Sequence, residues 1–230
     1  GVVKAVSYSR PKTAMHRAKP LPQDLVDRYR SWTETTLAVN ALQYKRLAED
    51  GQHPKALLIS CCDSRVNGLS IFGASHGDFF VHRNIANLVP PYSASRREHA
   101  TSAVIEYAVM VLEIPHIIIM GHSQCGGVAG CRDMCEGRAP ALEAEDSAVG
   151  RWIDMLREAH GRVAHIQDID ERTRALEHEA VRVSITNLLT FPYVAAAVDA
   201  GRLNIHGLWT DIATGELLAF DGESSEFQQV

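Results

Sequence analysis

Two short segments carry residues whose types and spacing suit metal chemistry. In ALLISCCDSRV an apolar run ends and is followed at once by Cys61, Asp63 and Arg65. In HIIIMGHSQCGG a second apolar run ends just before His122 and Cys125. Two thiolates and one imidazole form a familiar zinc ligand set, and three protein ligands leave a fourth position open, as in catalytic zinc sites. We therefore predict one Zn²⁺ per chain, bound by Cys61, His122 and Cys125.

The elements around these segments must bring them together. PKALLIS, DFFVHRN and HIIIM are predicted strands, and they alternate with predicted helices, of which residues 96–113 show the clearest apolar stripe. Such alternation is typical of an α/β fold, with a mainly parallel central sheet flanked by helices. The carboxyl ends of parallel strands meet at one edge of the sheet, where ligands gather. A C-terminal hairpin around residues 213–215 is predicted as an antiparallel edge, and residues 22–50 as an N-terminal helical arm.

Length and composition fit one globular domain over residues 1–230, in which residues 1–21 form a loosely structured arm. Of the 230 residues, 46% are hydrophobic and 22% are charged, and the net charge of −5 gives no reason to expect a nucleic-acid partner. No apolar stretch approaches the roughly 20 residues of a membrane span. The N-terminus lacks the apolar core of a secretory signal, so we expect a cytoplasmic protein, with an organelle left open.

The remaining cysteines and glycines have plainer interpretations. Five cysteines are an odd set for a disulfide framework, and we expect Cys62, Cys131 and Cys135 to be small buried residues. A phosphate-binding loop would need a lysine after its last glycine, but here Gly127 and Val128 follow Gly126. We expect these glycines to let the backbone turn tightly beside the metal and begin the next helix.

Together, CCDSRV, GDFFVHRNIANLVPPY, AVIEYAV and IIIMGHSQCGGV resemble the β-class carbonic anhydrases. The likeness is densest over residues 51–130, and it continues more weakly through SITNLLTFPYV to the C-terminus. It implies a homodimer as the minimal unit, often built into tetramers or octamers. It also implies reversible hydration of carbon dioxide to bicarbonate and a proton, through a zinc-activated hydroxide.

The resemblance also assigns roles to further residues. Asp63 and Arg65 match a dyad in which the carboxylate accepts the proton of the zinc-bound water and the arginine holds the carboxylate away from the metal. Gln52 matches a glutamine that, in the plant-like subclass with an open site, reaches into the neighbouring active site and donates to a substrate oxygen. Phe80 and Tyr107 match residues that wall the substrate pocket, and we place Gly126 there as well.

The resemblance further predicts that bicarbonate does not lock the enzyme in an inactive state. In the allosteric subclass, a tryptophan, an arginine and a tyrosine hold bicarbonate near the dyad. Leu58 stands at the tryptophan position, and no tyrosine stands near Trp209 or Thr210. Arg83 matches the arginine, which both subclasses carry.

Two alternatives remain at this level. Relatives with the same metal ligands hydrolyse carbonyl sulfide or carbon disulfide, and only the width of the pocket and its access distinguish the substrates. A non-catalytic, zinc-stabilised assembly protein would instead use four protein ligands.

Overall fold

The computed structural model describes residues 18–94 and 99–230. The chain divides into two compact units, Gly1–Gln52 and His53–Val230. The predicted loosely structured arm spans residues 1–21. Its first 17 residues lie outside the described residues, and residues 18–21 have no regular secondary structure. The first three residues of the helix predicted over 96–113 also lie outside them.

The described part of the N-terminal unit is helical, as predicted. It contains helices α1 (Gln23–Trp32) and α2 (Ala41–Asp50), with a π-helical turn at Thr33–Leu37 between them. None of these three segments has a buried side chain. The ring centroids of Trp32 and Tyr44 lie 5.9 Å apart, which ties α2 to the end of α1.

The second unit is built on a six-stranded sheet with the order β2-β1-β3-β4-β5-β6. Strands β1 to β4 run parallel, whereas β5 and β6 are antiparallel to their neighbours. The strands are β1 (Ala56–Cys61), β2 (Phe79–Asn84), β3 (His116–His122), β4 (Asn204–Thr210), β5 (Leu217–Asp221) and β6 (Glu226–Gln229). The predicted α/β class with its antiparallel edge is confirmed, and β6 extends that edge by one strand that the sequence analysis did not predict.

Helices connect the strands and flank the sheet. The α-helices are α3 (Gly68–Ile71), α4 (Ala100–Glu106), α5 (Gly126–Cys135), α6 (Ala148–Ile153), α7 (Arg157–Val163), α8 (Ile169–Leu188) and α9 (Pro192–Asp199). Short 3₁₀ segments lie at Ile85–Asn87, Pro140–Leu142 and Asp154–Leu156, and a π-helical turn at Tyr107–Val111 continues α4. The 3₁₀ turn Asp154–Leu156 joins α6 directly to α7.

Helix α8 packs tightly across the centre of the sheet. Its first turn is capped by Asp168, whose carboxylate accepts the N–H groups of residues 170 and 171, each at 2.9 Å. A Cβ at Gly207 would lie 2.8 Å from side-chain atoms of Val181 and Ile185, so only glycine permits this approach. One face of the sheet thereby shares its core with α8, α9 and α4.

Among the described residues, no single helix has both the length and the apolar character needed to cross a bilayer. Helices α8 and α9 reach that threshold only as a pair, and the pair is bent by 89°.

Candidate metal centre

The predicted metal ligands converge at the carboxyl ends of two neighbouring strands. Cys61 is the last residue of β1 and His122 the last of β3, and these strands pair in parallel register. Cys125 follows three residues later, at the N-cap of α5. The ligand atoms of the three side chains lie within 4.8 Å of one another, and the two sulfurs are 3.9 Å apart. No other group of three such side chains in residues 18–94 and 99–230 is close enough to hold one ion.

The donor atoms fit a soft divalent cation. His122 is 1% exposed, and its Nε2 has no hydrogen-bond partner among the described residues. Its other nitrogen, Nδ1, lies 2.8 Å from the carbonyl oxygen of Ser123. A carbonyl can only accept, so Nδ1 carries the proton and Nε2 presents its lone pair toward the two sulfurs. A buried nitrogen without a partner is costly in a folded chain, and a metal ion bound beside Cys61 and Cys125 would satisfy it.

The pKa shifts of the three side chains also favour a bound cation. A hydrogen bond from Cys125 lowers the pKa of Cys61, against the effect of burial. The hydrogen bond with Cys61, together with burial, raises the pKa of Cys125. Burial would lower the pKa of His122, but the contact with Cys61, the carbonyl of Ser123 and the charge of Asp63 together raise it. Without a cation the pocket thus holds one thiolate at most, because two buried negative charges in contact repel each other.

Asp63 and Arg65 form a closed ion pair beside these ligands. Arg65 donates from Nε to Oδ1 at 3.0 Å and from Nη2 to Oδ2 at 2.7 Å, and its backbone N–H donates to Oδ1 at 2.9 Å. The guanidinium holds the pKa of Asp63 well below its usual range, so the side chain is a carboxylate. Oδ2 lies 4.0 Å from Nε2 of His122, which places one carboxylate oxygen next to the ligand cluster.

Arg83, from the neighbouring strand β2, holds the segment that carries Cys61 and Asp63. Its Nε donates to the carbonyl of Cys61 at 2.7 Å, and its Nη2 donates to the carbonyls of Asp63 and Val66 at 2.7 and 2.8 Å. The side chain therefore fixes the path of the backbone after β1.

The turn between His122 and Cys125 is the least ordinary backbone of the site. Gln124 adopts a left-handed conformation with φ of 55°, whereas the φ angles of Gly126 and Gly127 are negative. The prediction that these glycines make the tight turn is therefore wrong. Gly127 serves close packing instead, because a Cβ there would lie 2.6 Å from a side-chain carbon of Ile85.

For the other predicted site residues, the structure gives burial and ring contacts. Phe80 and Tyr107 stack on each other, with centroids 5.7 Å apart, and Tyr107 is 45% exposed. Gly126 is exposed, and a Cβ there would meet no described atom within 4 Å. Gln52 is exposed and belongs to the N-terminal unit. The roles of all four residues stay predictions.

The remaining thiols differ in burial. Cys131 is buried and Cys135 partly buried, but Cys62 is exposed, so the expectation for Cys62 is wrong. Strand β1 ends at Cys61, and the next side chain therefore leaves the core.

The sequence analysis missed Glu177, a fully buried carboxylate on α8 that accepts the backbone N–H of Cys125 at 3.2 Å. Burial raises the pKa of Glu177. Its position on the apolar face of a long helix, beside Leu176 and Ala180, is the signal that could have identified it.

Comparisons with known proteins identify the family of this chain. The family model described as carbonic anhydrase matches residues 56–217. A carbonic anhydrase of Pseudomonas aeruginosa is 35% identical over 89% of this chain and 90% of its own length. Beta carbonic anhydrase 3 of Arabidopsis thaliana is 35% identical over 76% of this chain and 67% of its own. Among solved structures, the β-carbonic anhydrase CcaA superposes with a TM-score of 0.82 at 30% identity, covering 90% of this chain and 98% of that one. A tetrameric β-carbonic anhydrase of Sordaria macrospora gives 0.69 at 31% identity, covering 86% and 95%.

Proposed function

Because this chain belongs to the carbonic anhydrase family, we propose that it catalyses the reversible, zinc-dependent hydration of carbon dioxide to bicarbonate and a proton. The observation that carries the proposal is the buried cluster of Cys61, His122 and Cys125, in which one imidazole nitrogen has no hydrogen-bond partner within the described ranges 18–94 and 99–230. This donor set suits Zn²⁺, and three protein ligands leave a position for water or substrate. A bound Zn²⁺ supplies a Lewis acid that lowers the pKa of its water, so that a nucleophile forms near neutral pH.

Asp63 orients that water. As a carboxylate it can only accept hydrogen bonds, so the oxygen that lies 4.0 Å from Nε2 of His122 would accept one from a water at the open position, and a lone pair of that water would then face the carbon of the substrate. Arg65 keeps the carboxylate in this position through its two-point contact. If that contact is lost, Asp63 is close enough to the ligand cluster to compete for the open position.

The oligomer and the substrate follow from the relatives as further parts of the proposal. The tetrameric relative supports assembly of this chain into a homo-oligomer, with a dimer as its minimal unit. Carbon dioxide is the substrate that the carbonic anhydrase names of the relatives support. Carbonyl sulfide and carbon disulfide present the same electrophilic carbon, so the assay must include them.

The test combines metal analysis with stopped-flow hydration on one purified sample. We expect one zinc per chain and rapid hydration of carbon dioxide, with slower turnover of the two sulfur-containing gases. Cys61→Ser should lose both zinc and hydration, because it removes one of three ligands, while Cys62→Ser, one residue away and exposed, should keep both. Full zinc and full turnover in Cys61→Ser would refute the ligand assignment, and faster turnover of carbonyl sulfide would refute the substrate.

A further inference from the structure

One peptide group next to the candidate metal centre is held at both ends. The carbonyl oxygen of Gln124 accepts a hydrogen bond from Nη2 of Arg65 at 3.1 Å. The N–H of the same peptide group, which belongs to Cys125, donates to Oε1 of Glu177 at 3.2 Å. Gln124 is also left-handed, a conformation that costs a non-glycine residue free energy and persists only where neighbouring contacts impose it.

Glu177 is an unusual residue to find at this place. It projects from α8, it is 3% exposed, and its second oxygen accepts the indole N–H of Trp209 at 3.1 Å. Burying a carboxylate costs free energy that an apolar contact between helices would avoid. Both oxygens are aimed by N–H donors from different elements, so the side chain has one fixed orientation.

We propose that Glu177 is a positioning residue of the metal centre, which fixes the peptide group between Gln124 and Cys125 by accepting its N–H. This inference deepens the proposed function and rests on it. The peptide group carries the third metal ligand at one end and holds the arginine of the dyad at the other. A single buried acceptor therefore sets both the place of the Cys125 sulfur and the orientation of Arg65 against Asp63.

The proposal predicts weaker metal binding when the acceptor is lost. Partners that orient metal ligands typically account for about 10- to 100-fold in metal affinity. We expect Glu177→Gln to raise the zinc dissociation constant by that factor, measured by competition with a chromophoric chelator. The glutamine amide has one oxygen to face two N–H donors, and its NH₂ group must oppose the other donor.

Trp209 offers a rescue that a merely structural role would not produce. Trp209→Phe removes the competing indole donor, so in the double variant Glu177→Gln/Trp209→Phe the amide oxygen can face the N–H of Cys125. We expect the double variant to regain most of the zinc affinity that Glu177→Gln loses, and Trp209→Phe alone to lose less affinity than Glu177→Gln because Glu177 still accepts the N–H of Cys125. Thermal unfolding of all three variants shows whether the buried Trp209 site still folds.

A second readout needs no metal. A cavity of about 540 Å³ is lined by Gln124 and Glu177, so water can reach this turn. Amide hydrogen exchange of the metal-free chain, followed by mass spectrometry over residues 121–128, should be faster in Glu177→Gln and slower again in the double variant. If wild type neither binds zinc nor hydrates carbon dioxide, the proposed function fails, while the exchange data still decide the role of Glu177.

Two results would overturn the inference. Unchanged zinc affinity together with unchanged exchange in Glu177→Gln would show that the N–H of Cys125 does not need this acceptor. Equal losses in the single and double variants would show that Glu177 acts through its charge or its packing. Where Glu177→Gln fails to fold, Glu177→Asp keeps the charge but is one methylene shorter, and zinc affinity equal to that of wild type would contradict the proposal.

Discussion

Removing the side chain of Arg65 tests the dyad most directly. Arg65→Ala deletes both side-chain hydrogen bonds to Asp63, at 3.0 and 2.7 Å, but keeps the backbone N–H that donates at 2.9 Å. The carboxylate then keeps one of its three hydrogen bonds from Arg65, so its oxygen is no longer fixed next to His122. A misplacement of about 1 Å costs about 100-fold in rate. Because the Arg65 side chain is 48% exposed and water can replace part of its contact, we take about 10- to 100-fold as the expected loss.

We therefore expect Arg65→Ala to retain its zinc and to lose about 10- to 100-fold in kcat/KM, measured by stopped-flow hydration of carbon dioxide. The matched control is Arg157→Ala. Arg157 makes a similar pair with Asp154 at 2.6 Å and is 47% exposed, but it lies outside the metal centre. Unchanged kcat/KM in Arg65→Ala, or an equal loss in Arg157→Ala, would refute the reasoning. Loss of zinc from Arg65→Ala would mean that the arginine builds the site instead of orienting the carboxylate.

Three further predictions concern Asp63, the ion-pair cluster around Glu136, and the response to bicarbonate. Asp63→Ala should keep its zinc and lose at least about tenfold in turnover, because the variant loses the group that orients the water but none of the three metal ligands. Loss of zinc from this variant would instead make Asp63 a ligand. For Glu136, which is 18% exposed, burial would raise the pKa, but hydrogen bonds from His160 and two arginines lower it from 4.5 to about 2. Glu136→Gln should therefore lower the free energy of unfolding by about 3 kcal/mol at neutral pH, measured by urea titration. A carboxyl group with a lowered pKa in the folded state stabilises the fold fully only above its pKa in the unfolded chain. The difference between the variant and the wild type should therefore fade as the pH drops from about 4.5 through about 2. The pH–rate curve of the enzyme should rise as a single ionisation, because bicarbonate finds few donors near the dyad. Leu58 offers bicarbonate no N–H, and the Nε and Nη2 of Arg83 already donate to backbone carbonyls. A steep cooperative loss of activity below neutral pH would contradict this prediction.

The sequence by itself was sufficient to predict the class of fold and that Cys61, His122 and Cys125 lie together. Cys61 and His122 each follow an apolar run, and the alternation of strands and helices implies that parallel strands end at one edge. The local sequence pattern therefore predicted which residues meet, because the candidate ligands lie at or just after the ends of the apolar runs that form the strands. It also predicted the antiparallel edge at residues 213–215, where β4 turns into β5.

Other features depended on contacts between residues far apart in the chain. Glu177 lies 52 positions from Cys125, and Arg83 lies 22 positions from Cys61. Which backbone N–H or carbonyl such a side chain reaches depends on how α8 and β2 pack, and no local periodicity encodes that distance. The left-handed turn was misassigned to glycine for the same reason. Glycine is the residue that adopts this conformation most cheaply, but at Gln124 the contacts of the neighbouring peptide group with Arg65 and Glu177 impose it.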